Sequence, residues 1–168
     1  DPLEWQPHVR TKKAREALQT WIQRIEQDGI AIIERAQLRV PLPKETAYII
    51  QRRFGDLSVM NSRFNTAYSS TTHERLKQNP EEWYLYHTLY REARKDWTEV
   101  PFERIAKSLK KRPDWVIGDF GCGEAKLAAL LPNKVYSFDH IAINENVLAY
   151  DIAHTPVDDG ALDVAVFS

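Results

Sequence analysis

Apolar positions along this chain recur at two periods, and the change between them divides it. From residue 8 to 36, Ala14, Leu18, Ile22, Ile25, Ile32 and Ile33 fall at roughly helical spacing. Thr11 is placed to cap the first turn and Gly29 to interrupt the helix. "RVPLPKE" (39–45) reads as a connector, because two prolines one residue apart do not fit inside a helix. Residues 44–54 predict a short helix ending at Gly55. Ser70 to Thr72 are expected to cap a helix running to Gln78. Asn79-Pro80 ends it and opens the next, with Glu81 and Glu82 in the first turn. In "EEWYLYHTLYREARKDW" a stripe of Trp83, Tyr86, Tyr90 and Ala93 is expected to face the core. In "PFERIAKSLKKR" the buried face is Phe102, Ile105, Ala106 and Leu109. Lys110, Lys111 and Arg112 follow at the negative end of that helix.

Beyond residue 114 the helical period gives way to four short apolar runs, "WVIGDFG", "VYSFD", "VLAYD" and "LDVAVFS". Three of them end on or near an acidic residue or glycine, and the first is followed by a helical "AKLAALL". Buried parallel strands joined by crossovers give this texture, so the expected class is α/β: a partial, four-stranded parallel sheet preceded by a helical N-terminal region. The chain stops at the fourth run, which would represent half of a six- or seven-stranded sheet. Three segments are expected: a helical appendage over 1–60, a helical lobe over 61–113, and the first half of a Rossmann-like domain over 114–168.

Composition narrows the setting. The chain has 168 residues, 43% of them hydrophobic, enough for a real core. A single cysteine excludes a disulfide framework and a cysteine-based zinc site, and no metal is expected. No apolar run approaches the roughly 18 residues of a membrane span, and no signal peptide is visible, so an intracellular, reducing setting is expected. The chain begins with Asp and its one methionine is Met60, as in a piece of a longer or processed protein. A net charge of −1 hides an asymmetry: residues 115–168 carry two basic and eight acidic residues, the rest 21 basic and 16 acidic. The basic part could meet a polyanion, though a mixed, solvated helical surface is the better explanation of so mild an excess.

The stretch "DFGCGE" (119–124) carries the chemistry. Gly121 and Gly123 follow the first strand, where glycine permits positive φ and close backbone approach to a ligand. Asp139 comes twenty residues after Asp119, at the end of the second strand, where a carboxylate can accept from both hydroxyls of a ribose. Asp151 closes the third. Such strand ends face one crevice, which describes a site for an adenosine-like ligand. A dinucleotide fingerprint would place a third glycine where Lys126 stands, and Glu124 is expected to repel a pyrophosphate. The carboxylates suit a cationic ligand, so S-adenosylmethionine fits better than NAD.

The motifs "LYH", "RIA", "DFGCG", an aspartate twenty residues on, "D-x-A" and "DVAVF" occur together between about Arg63 and Ser168. In combination this stretch resembles the nucleomethylin, or ribosomal RNA-processing protein 8, family of methyltransferases. Residues 1–60 carry no such likeness. The resemblance implies a class I methyltransferase fold, S-adenosylmethionine as cofactor, and methylation at N1 of an adenine in large-subunit ribosomal RNA. It implies that His87 lies against the cofactor, that Gly121 approaches its methionine part, and that Asp139 takes the ribose hydroxyls. Asp151 and Ile152 would flank the adenine and Ser168 would sit beside the reacting centre. The family often has Met at the position of Ile152 and Cys at that of Ser168.

Each of these residues also has a plainer explanation. His87 fits a satisfied core histidine, Cys122 a small filler, Asp151 a turn cap, and Asp158-Asp159-Gly160 a solvated turn. Trp83, Tyr84, Tyr86 and Tyr90 read mostly as core, with one or two able to stack on a base. Lys107, Lys110, Lys111 and Arg112 could contact phosphates. The groups that hold the target base normally follow strand four, so the 168-residue chain alone is expected to be a poor catalyst. The alternative is a non-catalytic methyltransferase-like module in a larger nucleic-acid or chromatin machine, with protein partners reached through residues 1–60 and "RTKKAR" touching nucleic acid. An NAD-binding domain is a third, weaker reading. A bacterial protein of this kind would be cytoplasmic and a eukaryotic one nucleolar.

Overall fold

The computed structural model describes residues 44–167. The helix expected over 8–36 and Ser168, expected beside the reacting centre, lie outside them. Five helices come first: α1 (Lys44–Phe54), α2 (Leu57–Thr66), α3 (Ser69–Gln78), α4 (Pro80–Ala93) and α5 (Pro101–Leu109). The sheet and one further helix follow: β1 (Ile117–Phe120), α6 (Lys126–Leu130), β2 (Val135–Asp139), β3 (Leu148–Ala149) and β4 (Val164–Phe167).

The helical lobe is held by a charge as much as by its apolar core. Phe54, Met60, Tyr84 and Leu85 form that core. Beside it Glu82, expected merely to complement the helix dipole, is fully buried. Arg63 from α2 and Arg75 from α3 both pair with it, Arg75 through Nε at 2.8 Å. Arg63 also donates to the carbonyl of Phe54 at 2.6 Å, closing the C-terminal end of α1. One carboxylate thus ties four helices together. Three details differ from the sequence reading. Helix α2 was not foreseen, and it runs through the 60/61 position with Met60 wholly buried. Helix α3 starts at Ser69, one residue before the expected Ser70–Thr72 cap, and its N-cap position is Tyr68, which makes no side-chain cap. Ala93 is exposed; the buried residues of α4 are Glu82, Trp83, Tyr84 and Leu85. The helix start at Pro80, with Pro at its first turn, is as expected.

The four apolar runs do form a parallel sheet, in the order β3-β2-β1-β4. β1 lies between β2 and β4, with Asp119 level with Ser137 and Val166, and Phe120 level with Phe138 and Phe167. Side chains alternate between the faces of a strand. One face carries Ile117, Val135, Val164 and Val166 under Ala106 and Leu109 of α5 and Leu127 of α6. The other carries a ladder of rings, Phe167 on Phe120 on Phe138, with centroids 5.1 and 5.4 Å apart. Because the strands are parallel, their C-terminal ends share one rim, and the glycine loop, Asp139 and the turn after β3 all lie on it.

The Glu82 cluster predicts an asymmetry between buried and exposed pairs. Arg63→Met leaves a buried carboxylate half compensated and should destabilise by about 3 kcal/mol in urea unfolding. Lys95→Met, which breaks only the exposed Lys95–Glu92 pair on α4 and its following turn, should cost less than about 0.5 kcal/mol in the same assay.

Candidate functional site

The site begins where β1 ends. Gly121 and Gly123 both take positive φ, +80° and +57°. The amides of Gly121 and Cys122 donate to the Phe138 carbonyl at 2.8 and 3.0 Å, so the loop is fastened to β2. The next amide, that of Gly123, donates to Asp139 Oδ2 at 2.6 Å, and His140 N–H donates to Oδ1 at 2.7 Å. Asp139 is 2% exposed. Burial raises its carboxyl to about 7, against the pull of those two amides.

Helix α4 closes the loop from above. A Cβ on Gly123 would come within 3.1 Å of His87 Cε1, so the position needs glycine for its backbone angle and for this close approach. His87 packs edge-on against Trp83, and its Nε2 is buried without a partner. Burial lowers its pKa to about 4, opposed by nearby Glu124, so the imidazole is neutral at pH 7. Asp119, 2% exposed, likewise has a buried Oδ1 without a hydrogen bond, and burial raises it to about 6. Glu124 requires a correction: Arg91 at 2.6 Å and Lys126 at 2.9 Å neutralise it, so the repulsion of anions expected of it is largely cancelled. Burial raises the Cys122 thiol far above the usual range, which removes it as a thiolate nucleophile at neutral pH.

His87, Asp119, Gly121 and Gly123 line one pocket of about 60 Å³. Asp139 adjoins it through the Gly123 amide. Asp151 stands further along the rim, just past β3, and Ile152 is half-buried beside it. Ser69 Oγ, the Ala153 amide and His154 Nδ1 all contact the Asp151 carboxylate, the last two at 3.1 Å. Burial works to raise its pKa, but these bonds outweigh it and hold the group at about 2. Among the described residues no group of three or more His, Cys, Asp or Glu is placed to hold a metal, and no helix is long and apolar enough to cross a membrane.

Sequence reasoning missed Arg94, Tyr90 and Phe102 as pocket residues. The signal was present for two of them: His87, Tyr90 and Arg94 recur at i, i+3 and i+7, one face of α4.

Two outcomes follow from this geometry. Asp119 has a raised pKa, so its ionisation between pH 4 and 6 costs folding stability, and the cost is complete above 6. Asp119→Asn should therefore raise stability at pH 8, by up to about 2 kcal/mol, and change little at pH 4, as read by urea unfolding of both proteins at the two pH values. Gly123→Ala, strained in the left-handed region and pressed on His87, should lower stability by at least about 1 kcal/mol and shift the His87 ring resonances in an NMR spectrum.

Comparisons with known proteins identify the family. The profile of a family described as hypothetical methyltransferase matches residues 49–168. The chain is 38% identical over 114 residues to ribosomal RNA-processing protein 8 of Drosophila melanogaster, covering 67% of this chain and 32% of that protein. It is 33% identical over 114 residues to the protein of the same name in Arabidopsis thaliana, covering 67% of this chain and 40% of that one. It is 36% identical over 121 residues to a 25S rRNA (adenine(645)-N(1))-methyltransferase of Schizosaccharomyces pombe, covering 64% of this chain and 38% of that one. The matched stretch is thus about a third to two fifths of each relative's length. With a Rossmann-like parallel sheet, a glycine loop at its rim and a family profile over most of its length, the chain belongs to the methyltransferase family that includes ribosomal RNA-processing protein 8.

Proposed function

We propose that the protein is an S-adenosylmethionine-dependent methyltransferase of ribosomal RNA, acting at N1 of an adenine. The observation that carries the reading is the pocket at the glycine loop, where two buried polar atoms, His87 Nε2 and Asp119 Oδ1, have no partner. Buried polar groups left unpaired are costly and are expected where a ligand completes them. A Cβ at Gly121 would meet nothing within 4 Å, so the space over the loop is open to a ligand.

The donor set fits this cofactor. Each Asp139 oxygen accepts one amide and keeps a second lone pair, which ribose hydroxyls would use. Asp151 and Ile152, in the turn after β3, would border the adenine, and Ser168 would follow at the end of β4. When bound, S-adenosylmethionine supplies an electrophilic methyl group on a sulfonium. His87, held neutral by burial, places no like charge beside that cation. Asp119 and Asp139 place negative charge there once ionised. The chain's contribution is thus orientation and charge complementarity, with no side-chain nucleophile required. N1 of adenine lies on the Watson–Crick edge, so the base has to be unpaired or flipped out to be reached.

The names of the relatives support an RNA substrate, and the relatives reported come from eukaryotes, which supports a nucleolar rather than a bacterial cytoplasmic setting. S-adenosylhomocysteine should bind the intact protein in calorimetry, and Asp139→Ala should weaken it at least tenfold by removing the ribose acceptor and the anchor of Gly123. Mass spectrometry of ribosomal RNA from cells lacking the protein should show loss of one N1-methyladenine. Binding with every N1-methyladenine retained would favour a non-catalytic module, and no binding would sink the proposal.

A further inference from the structure

Arg94 lines the same pocket, at the C-terminal cap of α4. Among the described residues its side chain makes no ion pair and no hydrogen bond; its guanidinium rests 4.4 Å from the centre of the Tyr90 ring and 5.7 Å from that of Phe102. Every other charge around this loop is spoken for or differently placed: Arg91 and Lys126 are both bound to Glu124. The negative end of α4 explains why a cation is tolerated there. It does not explain why that cation is left unpaired in a pocket it shares with the buried, partnerless Asp119 Oδ1.

A pocket lined by one unpaired guanidinium and one unpaired carboxylate is complementary to a zwitterion. An α-amino acid presents a carboxylate and an ammonium on one carbon. A guanidinium is the side chain best shaped to grip the first in two-pronged fashion, and a carboxylate oxygen accepts from the second. Cation–π contact with Tyr90 and Phe102 holds the guanidinium in place, which reduces the freedom lost on binding. We propose that Arg94 is the cofactor-binding residue that receives the carboxylate of the amino-acid tail, with Asp119 taking its ammonium. This rests on the cofactor proposed above.

The test compares two ligands that share the nucleoside and differ in the tail. Calorimetry of the intact protein would be run with S-adenosylhomocysteine and with 5′-methylthioadenosine, which lacks the amino-acid group. The wild type should prefer S-adenosylhomocysteine. Arg94→Met should weaken it by about tenfold or more, the loss of a charge-assisted pair, and leave 5′-methylthioadenosine within twofold. Arg94→Lys, which keeps the charge without the fork, should fall between the two. Circular dichroism melting of each variant checks folding. Equal loss of both ligands in the variants, or no loss of either, would overturn the role of Arg94. A wild type that binds both ligands equally would leave the cofactor reading standing and remove this one. A wild type that binds neither would remove both.

Discussion

The carboxylate of Asp139 sits where three parts of the molecule meet, and each is positioned by it. It ends β2, it receives the amide of Gly123, and it receives the amide of the residue that follows it. Those bonds set the glycine loop against the sheet after β1 has delivered it there. His87 then closes over Gly123 from the helical lobe, at a distance that even a methyl group there would crowd. The cost of this arrangement is visible in the Asp139 pKa of about 7: a buried carboxylate is held where water would otherwise stabilise it. Asp119 shows the same cost with less compensation, since its buried Oδ1 accepts nothing. Of the two acids, Asp139 repays part of its burial by holding the loop, whereas Asp119 is left with an unpaired oxygen beside it.

The helical lobe solves its own electrostatic problem differently. Glu82 is as deeply buried as Asp139, but it has two arginines. It is therefore a structural centre, whereas the acids of the loop are left for something else. Asp151 stands between these cases. Its hydrogen bonds satisfy it within the protein, and the one from Ser69 ties α3 to the turn after β3.

The sheet was the most legible part of the chain because buried parallel strands are continuous apolar runs and need no partner to be seen. The glycines were legible because positive φ has few other sequence signals. Helix α2 was not legible: "LSVMNSRFNT" carries little apolar periodicity, and its place is fixed by Arg63 reaching Glu82, a contact made in three dimensions. The role of Ser69 was not legible either, because its partner, Asp151, lies 82 residues away. Arg94 and Tyr90 shared a helix face with His87 in the sequence, but their position over the pocket came only with the docking of α4 on the loop. The resemblance to a known family supplied His87; the reason for it, a partnerless nitrogen above Gly123, came from the structure.

The sequence separations of these contacts also set an order of assembly. The bonds around Glu82 span 19 residues to Arg63 and 7 to Arg75, and Arg63 reaches Phe54 over 9. All of them lie within the helical lobe, so that cluster can close as soon as the lobe has left the ribosome. The contacts that shape the rim are longer: Arg91 to Glu124 spans 33 residues and Ser69 to Asp151 spans 82. Long loops are slow and entropically expensive to close. The lobe is thus the early, self-sufficient platform, and the rim around the glycine loop is completed only after the third strand has been made.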